Sequence, residues 1–119
     1  MSTTEKQTET CIWVTTTFVG YHLWADAPDE VSFLRNNHRH LFYVCLEVAV
    51  KHLDREVEFF ILKKQLNDFI DRHWSEGHFA SSCEMIAQSI LEHFTAQHYH
   101  VRRVSVSEDN ENGATIYVK

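Results

Sequence analysis

The chain has 119 residues, enough for one domain with a buried core and too few for a second. Its 17 acidic and 11 basic residues give a net charge of −6, which argues against nucleic acid as the main partner, because phosphate binding wants a basic face. Its 3 cysteines form no C-x-x-C pair and suggest neither a disulfide framework nor a thiolate zinc site, so the 9 histidines are the compositional feature left to explain.

Residues 1–10 are polar, lack the apolar centre of a signal peptide and are expected to fray, leaving a single domain over residues 11–119. No apolar run approaches the length of a bilayer span, so no membrane partner and a cytoplasmic location are expected. Residues 11–20 read as a first strand, with Ile12, Val14, Thr16 and Phe18 on one face. Residues 21–37 hold no sustained period and contain the only proline, Pro28, so a loop is expected there.

Residues 41–50 read as a second strand whose even positions, Phe42, Val44, Leu46, Val48 and Val50, form an apolar face. His38 and His40 precede it. In a strand, side chains two apart point the same way, so these two imidazoles stand side by side. His22, just past the first apolar run, is the natural third donor. Three imidazoles leave one position of a tetrahedral zinc open, the pattern of catalytic sites. Zinc there would lower the pKa of a bound water or substrate hydroxyl and polarise a carbonyl. The same residues also suit an ordinary histidine-rich surface loop, since H-x-H alone is a weak motif.

From Phe59 the period changes. Phe59, Leu62, Leu66, Phe69, Ile70 and His73 recur at three and four, the stripe of an amphipathic helix that breaks at residues 74–78. Ser81, with Glu84 three residues on, reads as a capping box opening a second helix, and Met85, Ile86, Ser89, Ile90 and Phe94 form its inner stripe. Val101, Val104 and Val106, with Ile116 and Val118, flank a polar turn at residues 109–113 and predict a hairpin. The order predicts an α+β fold, a four-stranded antiparallel sheet with two helices on one face. Such a sheet exposes two edges, and pairing them with other copies predicts a homo-oligomer.

Five segments, taken together, resemble the 6-pyruvoyl-tetrahydropterin synthase and 6-carboxy-tetrahydropterin synthase family. Phe18-Val19-Gly20-Tyr21-His22 looks like its F-x-A-A-H, and His38-Arg39-His40-Leu41-Phe42 its H-G-H-x-[FY]. Glu58-Phe59-Phe60-Ile61-Leu62-Lys63 is similar to D-F-x-x-L-K, and Ser81-Ser82-Cys83-Glu84 to P-T-S-E. Val106-Ser107-Glu108, followed by Ala114-Thr115-Ile116-Tyr117, looks like the closing V-x-E-T and A-x-Y. The match is collinear over residues 11–119.

The resemblance implies a T-fold (tunnelling fold) that oligomerises into a barrel as a trimer or hexamer, with sites at subunit interfaces. It implies one Zn2+ on His22, His38 and His40. It makes Glu108 the substrate-binding anchor of a pterin ring, a task for which a carboxylate accepting paired N–H donors is suited. Asp71 and His73 fall near the family's proton-relaying D-H pair and are the expected catalytic residues, with His78 a competitor. The segment before His38, residues 31–37, contains no cysteine and no acid, although the family places its cysteine, or a glutamate, there. Cys45 reads as a small core residue and Cys83, at a helix start, as structural. Arg39 replaces the glycine of H-G-H and points to the face opposite its neighbours.

The implied function is a zinc-dependent lyase of the synthase type acting on dihydroneopterin triphosphate or a related pterin, serving pterin supply or the biosynthesis of queuosine and other deazapurines. The alternative is a catalytically degenerate T-fold protein that binds a pterin or purine, or acts as an oligomeric scaffold, without turnover.

Overall fold

In the computed structural model, which describes residues 7–119, strand β1 spans Thr10–His22 and pairs antiparallel along its whole length with β2, His38–Val50. Of the segment expected to fray, residues 1–6 lie outside the described residues; Glu9 makes a two-pronged ion pair with Arg102 at 2.9 Å. Both strands run further than the apolar alternation alone indicated. Tyr21 and His22 extend β1, and His38 to His40 extend β2, because the two ends pair with each other.

Two helices follow. Helix α1, Phe59–His73, starts where the Glu58 carboxylate accepts the backbone N–H groups of Phe60 and Ile61 at 3.0 and 3.1 Å. Helix α2, Cys83–Ala96, is capped by Ser82, whose hydroxyl accepts from the Met85 N–H at 3.2 Å. The cap is one residue later than the capping-box reading at Ser81. The Ser81 carbonyl is used elsewhere, by His22. Strands β4, His100–Glu108, and β5, Asn112–Tyr117, close the chain as the expected hairpin.

The sheet differs from the four-stranded antiparallel expectation. His78 and Phe79 form a short strand, β3, parallel to the end of β1, so the sheet is five-stranded and mixed, in the order β3-β1-β2-β4-β5. A two-residue strand is too short to show a period of two in sequence. The segment expected to be a loop contains a 3-10 helix, Asp29–Arg35, that contributes no buried side chain.

The core lies between the two helices and one face of the sheet. Phe42, Leu46 and Val104 from strands meet Leu62, Leu66, Ile86, Ile90 and Phe94 from helices, all without solvent exposure. Burying each such side chain stabilises the fold by about 1.5–3 kcal/mol. A register shift between β2 and β4 at Glu47/Val48 leaves Arg102 as an extra residue, which brings Val101 and Val104 to the same buried face despite their odd spacing. That core face continues to the end of the sheet beside the start of α2, and the histidines sit there.

Candidate metal centre and adjoining cleft

His22 and His38 are paired partners across β1 and β2, and His40 lies opposite Gly20, two residues along. All three share the core face with Phe18 and Phe42, so the strand alternation that buries the apolar residues also converges the imidazoles. One ring nitrogen from each lies within 4.8 Å of the others. The His22 ring is 4.6 Å from His38 and 5.2 Å from His40, centre to centre, and edge-on to Phe42 at 5.3 Å.

The remaining ring nitrogens are all committed. His22 Nδ1 donates to the Ser81 carbonyl at 3.1 Å, and His38 Nδ1 to the Asn36 carbonyl at 2.9 Å. His40 Nδ1 donates to the Asp109 carboxylate at 2.7 Å. Carbonyl and carboxylate oxygens only accept, so each Nδ1 must carry the hydrogen, which leaves Nε2 as the ring atom available to other partners. Three rings, each fixed through Nδ1, match what metal-ligating histidines require of their outer partners. The donor set fits a borderline ion such as zinc.

Glu108, the last residue of β4, stands beside the trio. Its Oε2 is 2.9 Å from His22 Nε2 and 3.8 Å from His40 Nε2. The turn that follows reinforces this end. Asp109 and Asn110 both have positive φ, 54° and 56°, the left-handed backbone that tight hairpin turns use and that Asp and Asn tolerate. So folded, Asp109 donates its own N–H to the Leu41 carbonyl at 2.7 Å and accepts the Leu41 N–H at 3.0 Å. The contact with His40, together with the Leu41 N–H, holds its carboxyl below the usual range.

A cleft of about 540 Å³ opens next to His22, His38 and Glu108. Trp24 and Leu34 line it from the segment after β1, and Cys83, Glu84 and Met85 from the start of α2. Burial pushes the Cys83 thiol up to about 12, and the nearby Glu108 and Glu84 charges add to the effect. Cys83 is therefore a neutral thiol at physiological pH, in keeping with its structural reading.

Asp71 and His73 lie elsewhere. His73 is in the last turn of α1, its Nδ1 donating to the Phe69 carbonyl at 2.8 Å and its ring against Phe69 and Trp74. Asp71 is exposed on the same helix. The structure does not bring either residue into contact with the trio. His78, the competing candidate, stacks on Tyr21 at 4.9 Å and bonds to Asn37. Asp109 was the residue that sequence reasoning missed. In the sequence it reads only as part of a polar turn, and the positive φ of that turn aims it back at His40.

No protein-family model matches the sequence, and no curated protein matches it. Solved structures do match. An uncharacterized protein from Wolinella succinogenes aligns over 94% of this chain and 99% of its own, with a TM-score of 0.79 and 14% sequence identity. The 6-pyruvoyl tetrahydropterin synthase of Caenorhabditis elegans aligns over 94% of this chain and 97% of its own, with a TM-score of 0.70 and 12% identity. No helix among the described residues is long and apolar enough to cross a membrane. At these identities the likeness establishes the architecture: this chain has the α+β fold of a 6-pyruvoyl tetrahydropterin synthase.

Proposed function

We propose that this protein is a zinc-dependent pterin-binding protein of the tetrahydropterin synthase type, with His22, His38 and His40 as the metal ligands and Glu108 as the anchor of the pterin ring. The observation that carries the reading is the commitment of all three Nδ1 atoms to oxygen acceptors, which leaves the three Nε2 atoms for one ion that would displace the His22 contact to Glu108. The likeness in fold to a pterin synthase supplies the ligand class. Zinc held there would act as a Lewis acid on oxygens of the pterin side chain. Glu108 would orient the ring by accepting two N–H donors from its amino-pyrimidine edge.

Synthase-like turnover needs a group to move protons at the side chain, and Asp71 with His73 is the assignment we carry forward. A specific observation favours the second reading, binding without turnover. The 3-10 helix before His38 has no cysteine, its Asp29 is held by Arg35 at 2.8 Å, and His73 is bonded within its own helix. The oligomer proposed, a trimer or hexamer, would cover the open sheet edges.

Metal analysis of the purified protein is expected to find about one zinc per chain, lost when His38 and His40 are both changed to Ala. A pterin should bind the zinc form, and product formation decides between the two readings. Protein without zinc and without pterin binding would overturn both.

A further inference from the structure

We propose that the cleft beside the histidines takes a neutral, unphosphorylated amino-pyrimidine heterocycle, stacked on Trp24, and discriminates against the phosphorylated form of the same ligand. The proposal rests on the pterin-binding reading and narrows its substrate class. Among the described residues that line the cleft, none is Lys or Arg, and two, Glu84 and Glu108, are carboxylates. Two guanidinium groups on the segments that flank the cleft do not turn into it. Arg35 is bonded to Asp29 and to the Ala27 carbonyl, each at 2.8 Å, and Arg39 alternates to the face opposite His38 and His40.

The start of α2 does not supply the missing charge. The Ser82 hydroxyl already takes the Met85 N–H, and Glu84, in the first turn, is the helix's own anion against its dipole. What remains there suits a ring carbonyl better than a phosphate chain. A polyphosphate in this cleft would face two carboxylates with no Lys or Arg in the lining to offset them, and the proposed zinc is reserved for oxygens of the pterin side chain.

The apolar lining, by contrast, is built for a flat ring. The indole of Trp24 is 53% exposed at the cleft, and its backbone is pinned from both sides. Its N–H donates to the Leu34 carbonyl at 2.7 Å, and its carbonyl accepts from the Ala27 N–H at 3.1 Å. The 3-10 helix thus acts as a bracket that fixes the backbone from which the indole is presented, with Leu34 and Met85 also lining the cleft. A volume of about 540 Å³ holds a bicyclic ring with a short side chain.

Isothermal titration of the zinc-loaded protein with 7,8-dihydroneopterin and with its triphosphate, at equal ionic strength, tests this. The neutral ligand is expected to bind at least about tenfold tighter. Trp24→Ala should weaken it about tenfold and Trp24→Phe should largely restore it, as stacking requires. Glu84→Lys should raise affinity for the triphosphate by about tenfold. Tighter binding of the triphosphate to the unmodified protein would overturn the proposal and leave the pterin reading standing. Unchanged affinity in Trp24→Ala would also overturn it, and binding of neither ligand would end both.

Discussion

The Asp109 carboxylate reaches from the β4–β5 turn back to β2, where its Oδ2 lies 2.7 Å from His40 Nδ1. Its other oxygen accepts the Leu41 N–H at 3.0 Å, so one side chain fixes both the orientation of the ring and the strand that carries it. A carboxylate behind a ligating imidazole raises its basicity and locks its tautomer, and loss of such a partner costs about 10–100-fold in metal affinity. Asp109→Asn is therefore expected to bind zinc more weakly by about tenfold in a chelator competition. Asn tolerates the positive φ of 54°, so the thermal unfolding midpoint of the metal-free protein should change little. Equal zinc affinity in the variant would remove Asp109 from the centre.

The glycines at the two edges of the site should respond unequally to a methyl group. A Cβ on Gly113 would lie 2.5 Å from the Val106 carbonyl oxygen and 2.7 Å from the Ser107 Cα, backbone that cannot swing aside. A Cβ on Gly20 would meet the tip of the Phe79 ring at 2.8 Å and the Phe42 ring at 3.1 Å, side-chain atoms rather than backbone. Gly113→Ala should lose about 3 kcal/mol in urea unfolding and Gly20→Ala about 1 kcal/mol. The opposite order would contradict the close approach of β4 and β5.

Cys83 should behave as an inert thiol. Its thiol is pushed up to about 12 by burial and by the Glu108 and Glu84 charges, so the folded state holds the proton more tightly than the unfolded chain does. The stability linked to this group is complete below the ordinary thiol value and declines as pH rises through it toward about 12. Alkylation at pH 8 is expected to leave Cys83 unmodified in native protein and to reach it in denaturant. Mass spectrometry showing fast native labelling would count against the burial.

Phe42 links the core to the site. It stacks on Phe18 at 4.9 Å and meets the edges of His22 and His40 at 5.3 and 5.7 Å. Phe42→Ala should cost about 3–5 kcal/mol. It should also weaken zinc binding, because two ligands lose the wall that aligns them; Phe42→Leu should retain more of both. Stability lost with zinc affinity intact would mean the imidazoles are held by their hydrogen bonds alone.

Much of this was legible in the sequence. The even positions of β2 announced both the core face and the pair of histidines, and the stripe from Phe59 to Ile70 announced α1. The parts that escaped depend on backbone that has no side-chain signature. The Ser81 and Asn36 carbonyls fix His22 and His38, and no residue type marks a carbonyl as an acceptor. Strand β3 is pairing without pattern: Tyr21 N–H donates to the Gly77 carbonyl at 2.9 Å, and Glu76 N–H to the Val19 carbonyl at 2.7 Å. The 3-10 helix escaped because it buries nothing, and periodicity is a signal of burial.

The histidines occupy the last position of β1 and the first and third positions of β2, beyond Phe42 and beside the start of α2. Because Phe42 belongs both to the core and to the wall of the histidines, a substitution there would register in fold and site together, whereas the exposed Trp24 and Met85 at the cleft mouth are free to vary without disturbing the core.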